Sequence, residues 1–165
     1  MIELEKIGFK YTIEHVGVDG NIKSTEVVEN IIPLAGINYM LSAAMTGGAQ
    51  FTNWYIGLFT ANRTPITADT MASFLADCAE TNAYGASRLS ANLPSVLDGV
   101  ISSVANPTVF TFASAATIQG GFITSGFTIN NTSGLLISAV KFSSPKVISA
   151  GELLRVPVGL ALASV

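Results

Sequence analysis

The sequence predicts a mainly β fold, an antiparallel sandwich or barrel, with one core-covering helix over about 34–46 and room for a short second helix over about 69–78. Three observations carry this expectation. Turn-forming groups recur about 6 to 14 residues apart through the second half, at Asn106-Pro107, Gly120-Gly121, Asn130-Asn131, Ser143-Ser144-Pro145 and Ala150-Gly151, the spacing of strands in an all-β domain. Between them lie runs of β-forming residues at 108–112, 122–129, 135–142 and 153–163. Near the start, Ile7, Phe9, Tyr11 and Ile13 fall on one face of residues 6–16 and Lys6, Lys10, Thr12 and Glu14 on the other, which is the pattern of a half-buried strand.

The elements follow in order. Asp19-Gly20 sets a tight turn after the first strand, and residues 22–28 return as its hairpin partner. Pro33 ends the extended segment, because the residue before a proline avoids the helical region while the proline itself suits a helix start. Leu34, Ile37, Leu41, Ala44 and Met45 then recur at helical spacing until Gly47-Gly48 supplies the stop. This stripe is expected to cover one sheet face. Residues 54–59 are apolar on both faces, as in a central strand with cover on each side. Residues 62–65 form a loop, residues 69–78 a short helix burying Met71, Phe74, Leu75 and Cys78, and residues 79–97 a long surface connection. In the last strand Leu154, Val156, Val158, Leu160 and Leu162 face one way, with Arg155, Pro157, Gly159, Ala161 and Ala163 opposite. Pro157 has no amide to donate, so this strand belongs at a sheet edge or has that position turned from its neighbour.

Composition bounds function. One domain over residues 1–165 is the expectation from length. The chain is 49% apolar and 12% charged, about half the usual charged fraction. Only five charged side chains, Asp98, Lys141, Lys146, Glu152 and Arg155, lie beyond residue 88. So sparse a set leaves little to move protons or hold metals, and the uncharged surface points to contact with other chains. Small Ala, Gly, Ser and Thr residues are the competing explanation for the apolar count. A net charge of −3 without like-charge blocks argues against nucleic acid. The hydrophobic runs stop short of a membrane span, and the acidic start does not resemble a secretory signal, so synthesis and folding in a cytoplasm are expected.

No residue is assigned a catalytic, cofactor or metal role. His15 is the sole histidine and has no partner nearby in sequence, so it reads as a surface or strand-end residue. No serine sits in a nucleophile elbow. Cys78 cannot form an internal disulfide and reads as a small buried apolar residue. Gly47-Gly48 and Gly120-Gly121 lack the context of a phosphate loop and serve as backbone punctuation. Asp19-Gly20-Asn21 lacks the further ligands of a calcium loop and fits a hairpin turn. Glu3, Glu5, Glu14, Glu26 and Glu29 could offer paired carboxylates but suit the solvated faces of a hairpin better. Trp54 and Tyr55 could form a stacking platform for a sugar or a base, whereas an aromatic pair in an apolar strand is normally core.

Two long stretches, Asn30-Ile31-Ile32-Pro33-Leu34-Ala35-Gly36 onward to Gln50 and Trp54-Tyr55-Ile56-Gly57-Leu58-Phe59 onward to Pro65, resemble small structural proteins of tailed bacteriophages. So do residues 81–88, marked by Tyr84 and Arg88, and residues 134–156. The resemblance rests on these four stretches, residues 89–105 carry none of it, and none of the stretches is a catalytic or ligand signature. It implies a non-enzymatic virion component without cofactors, made in the bacterial cytoplasm. The form implied is a head decoration (cement) protein with a jelly-roll-like sandwich, or else a neighbouring tail, neck or fibre-attachment protein with a host-surface contact at Trp54 and Tyr55. The implied partners are the major capsid protein and other copies of the same chain around a symmetry axis, with no nucleic acid and no membrane. Loops 62–69 and 79–94 would then be free to reach those partners.

Overall fold

The computed structural model describes residues 8–161. Lys6, Ile7, Leu162, Ala163, Glu3 and Glu5, invoked above for the terminal strands and the acidic cluster, lie outside them. The hairpin is present: β1 (Phe9–Val16) and β2 (Ile22–Glu29) pair antiparallel from Lys10↔Glu29 onward. Gly20, at φ +80°, and the Asp19 side chain, which accepts from the Asn21 backbone and amide, make the turn. Phe9, Tyr11 and Ile13 are buried as the alternation requires.

Two antiparallel sheets stack face to face. In the first, β1 lies between β2 and the last segment of the chain, β9 (Leu153–Val156) and β10 (Val158–Ala161), which are in turn flanked by β6 (Thr108–Thr111) and β5 (Val100–Ser102). The last strand is therefore internal and not at an edge. Pro157 interrupts it between β9 and β10, and its carbonyl still accepts from the Thr12 amide at 3.0 Å. Only the missing donor breaks the ladder.

The second sheet runs β4 (Leu89–Ser90), β3 (Tyr55–Phe59), β7 (Ala116–Thr124) and β8 (Leu136–Ile148). Two turn signals fail here. Gly120-Gly121 lies inside β7, because a Cβ at Gly120 would overlap the Val140 carbonyl and the Phe59 ring. Strand 122–129 accordingly begins earlier and ends at Thr124. Ser143-Ser144-Pro145 lies inside β8: register jumps from Gly120↔Lys141 to Ile118↔Lys146, so residues 142–145 bulge opposite Gln119 and Pro145 needs no ladder partner. The Ser143 amide donates instead to Glu26, which also binds Lys146.

The sheets are joined at both sides. Ile31, leaving β2, exchanges two backbone hydrogen bonds with Ala139 of β8, and the Thr108 hydroxyl donates to the Ser90 carbonyl at 2.6 Å. The main core fills the space between, with Tyr11, Ile13, Ile56, Leu58, Phe110, Ile118, Ile123 and Leu154 fully buried. Tyr11 bridges the sheets through a hydrogen bond to Ser138. A second cluster lies on the outer face of β3, β7 and β8 under α2 (Met71–Cys78), where Met71, Phe74 and Cys78 meet Phe59, Phe122 and Leu136. α2 begins at Met71, two residues later than the periodicity suggests, because Thr70 and Ser73 form a reciprocal capping box.

α1 (Leu34–Met45) has the expected bounds and the opposite orientation. Leu34, Leu41 and Met45 are exposed by 58, 58 and 78%, and Ile37 is also exposed. The face turned inward carries Gly36, Tyr39 and Met40. Gly36 decides this: even a Cβ there would sit 3.0 Å from the Ile137 carbonyl oxygen, so the helix backbone lies directly on β8 along its smallest residue.

Candidate functional site

His15 continues the inward face of β1 and is buried, not a surface residue. Its Nε2 lies 2.9 Å from Oε2 of Glu152, a carboxylate that is also buried and accepts from Lys23 and from the Ser149 backbone amide. Lys23 foremost, with the Ser149 amide and His15, lowers the Glu152 pKa from the ordinary 4.5 to about 2. A depressed carboxylate stabilises the fold above its unfolded pKa and loses that contribution as pH falls through the folded one. Acid titration of stability should therefore show a Glu152-dependent loss between about pH 4.5 and 2. Comparing unfolding midpoints of native and E152Q protein across that range tests it, and parallel curves would refute it.

The other sequence candidates do not converge. Cys78 sits under α2 on the far face of the second sheet, away from β1 and His15, and burial pushes its thiol up to about 12. A thiol so placed is no nucleophile at neutral pH. Glu14 stands opposite Arg155 across the β1–β9 pair, Glu26 is tied to Lys146, and Glu29 is exposed. Among the described residues, no three His, Cys, Asp or Glu side chains gather as a metal site would require. No described helix is long and apolar enough to cross a membrane.

Both loops keep exposed residues, among them Asn62, Thr64 and Ile66 in the first and Asn82, Gly85 and Pro94 in the second, and each is also anchored from within. Arg63 grips Asp69 with two hydrogen bonds of 2.8 and 2.6 Å, reaches Asp77, and stacks over Phe74 at 4.7 Å. In the 79–94 connection Ala83, Tyr84, Arg88 and Ala91 are buried, and Tyr84 packs edge-on against Phe110. Arg88 and Glu80 form a fully buried bidentate pair with N–O distances of 2.7 and 2.8 Å.

Two surface features remain. The first is the outward stripe of α1. The helix contains no charged residue, and its inward stripe, centred on Gly36, Tyr39 and Met40, leaves Leu34, Ile37, Leu41 and Met45 aligned on the other side. The second is a cleft where the β3–β4 ladder ends, closed by the Ala91 amide donating to the Trp54 carbonyl at 2.9 Å. It encloses about 150 Å³ among Thr52, Asn53, Trp54, Ser90, Asn92 and Leu93. Trp54 and Leu93 also border an apolar cavity of about 180 Å³ bounded by Phe9, Met40, Ile101, Ile137 and Leu160. Trp54 is only part-buried, and the rings of Tyr39 and Phe51 pack against it edge-to-face, while Tyr55 packs on Phe127 instead. The aromatic pair thus splits.

The sequence offered a signal for some of what was missed. His15 prolongs the odd-numbered alternation of Phe9, Tyr11 and Ile13. Asp98-Gly99, with both residues at positive φ, turns the chain from Leu97 into β5 much as Asp19-Gly20 does earlier. The roles of Asn53, Ser90 and Asn92 had no signal, because their meeting depends on the β3–β4 pairing. Compared with known protein families, with curated proteins and with solved structures, the chain matches none of them.

Proposed function

We propose that this chain is a non-enzymatic structural protein of a tailed-phage virion. Its role is that of a capsid decoration (cement) protein, which stabilises the head by burying surface against the major capsid protein and against copies of itself. The observation that carries the reading is the outward stripe of α1: four large apolar side chains on an uncharged helix, unpartnered within the described residues. A stripe of that kind marks a surface to be covered. Leu34, Leu41 and Met45 are still 58, 58 and 78% exposed, so covering each is worth about 1–2 kcal/mol before association costs, and many copies on one particle add by avidity.

The stripe lies outside the core, so L41E should change the unfolding free energy of the isolated protein by no more than about 0.5 kcal/mol. The same change places a charge in the proposed contact and should prevent binding to particles that lack the protein. Denaturant titration and particle pull-down measure the two halves. Unaltered binding of L41E would sink the assignment of this face. The cleft at Trp54 favours a second reading, a tail, neck or fibre-attachment protein that touches the host surface. Copy number in purified virions separates them: parity with the major capsid protein supports decoration, and a few copies per particle supports attachment.

A further inference from the structure

We infer that the cleft at Trp54 is a binding site for a neutral sugar bearing a methyl group, such as an N-acetyl or 6-deoxy hexose. Its volume of about 150 Å³ suits one pyranose ring. Its wall combines one aromatic ring with amide and hydroxyl side chains, Asn53, Asn92, Thr52 and Ser90, and no charged residue lines it. That is the complement of a sugar, whose C–H face packs on an aromatic ring while its hydroxyls exchange hydrogen bonds with neutral polar groups. A phosphate, a nucleotide or an acidic peptide would find no cation here.

The polar groups are still open to a ligand. Among the described residues neither the Asn92 carboxamide nor the Trp54 indole N–H has a hydrogen-bond partner, and Asn53 uses only its amide nitrogen, donating to Thr52 at 3.2 Å. The Asn92 backbone stands at φ +50°, and its amide donates to the Ser90 hydroxyl at 3.2 Å, which fixes the residue at the rim of the cleft. The apolar side of the cleft supplies the selectivity. Trp54 and Leu93 line the cleft as well as the adjoining apolar cavity, so a methyl substituent on a ring seated in the cleft can pack on their apolar atoms while the hydroxyls stay on the asparagine side. The site is complete within one chain and does not depend on where in a particle that chain sits.

Trp54 is the only tryptophan, so its emission reports on this site alone. The test is titration of the purified protein with N-acetyl-D-glucosamine, L-rhamnose, D-glucose and D-galactose, with glycerol as the non-sugar control. The expected result is a saturable change in Trp54 emission with the acetylated or deoxy sugar, with Kd on the order of 1 mM, and at least a few-fold weaker binding of glucose and galactose. N92G keeps the positive φ at no cost and removes the carboxamide. It should weaken binding at least about tenfold with an unchanged unfolding midpoint. Trp54→Phe, followed by NMR shifts of the Asn53 and Asn92 amides, should abolish binding. The inference is overturned if no sugar of the four saturates, if glycerol gives the same response, or if N92G binds as tightly as the native chain.

Discussion

Replacing Arg88 by Met is expected to remove about 3–5 kcal/mol of folding stability, a large share of the about 5–15 kcal/mol that a domain of this kind holds. The side chains of Arg88 and Glu80 are both wholly inaccessible to solvent. Arg88 donates twice to Glu80, once to the Gly126 carbonyl at 2.9 Å and once to that of Asn131 at 3.4 Å, and its guanidinium stands over the Phe122 ring at 5.3 Å. Glu80 also accepts from the Asn130 amide at 2.6 Å. The R88M protein keeps the side-chain bulk and leaves a buried carboxylate with no cation, so the loss comes from stranding that charge. A double variant, E80L together with R88M, removes both charges and should recover much of the loss, because well-packed apolar pairs replace buried ion pairs at little cost. Guanidinium unfolding of the three proteins checks this. A single-variant cost below about 1 kcal/mol, or a double variant no better than the single, would show that the pair is not desolvated as described.

The second large effect falls on α2. Phe74 is fully buried, with its ring 5.4 Å from those of Phe59 and Phe122 in edge-to-face contact and Arg63 over its face. Truncation to Ala should cost about 3–5 kcal/mol, since it opens a cavity between the helix and the second sheet that aromatic neighbours on rigid strands cannot close. The contrast with α1 is the sharper test. L41A on α1 removes a leucine that is 58% exposed and should cost no more than about 0.5 kcal/mol. If both truncations cost the same by thermal or chemical unfolding, the assignment of α2 as the covering helix and α1 as the outward one is wrong.

That contrast also shows what helical periodicity leaves undetermined about packing. Leu34, Ile37, Leu41 and Met45 form the larger apolar stripe, and periodicity naturally turned that stripe to the core. α1 has two apolar faces, and choosing between them depends on how closely the helix can approach β8. Gly36 permits contact with the Ile137 backbone, whereas the leucine side would hold the helix away. The turn signals at Gly120-Gly121 and Ser143-Ser144-Pro145 misled for a related reason. Glycine can end a strand or make room for a facing phenylalanine, and the Phe59 ring that needs the room is remote in sequence. Asp19-Gly20, by contrast, acts within four residues, so its turn is legible locally. The stacking platform at Trp54 was legible as an option, but its polar partners on the 90–93 turn were not.

What the sequence by itself determined is the mainly β class, the opening hairpin, the bounds of α1, the buried face of α2 and the central place of β3. Each follows from local periodicity or turn chemistry, which operate over a few residues and need no partner. Only the tertiary structure decided that the last strand is internal, that His15 meets Glu152, that Arg88 meets Glu80, and that α1 shows its leucines to solvent. Those outcomes rest on which surfaces distant segments offer one another. Charge pairing, close backbone approach and desolvation act across space, and partners such as His15 and Glu152 lie 137 residues apart along this chain.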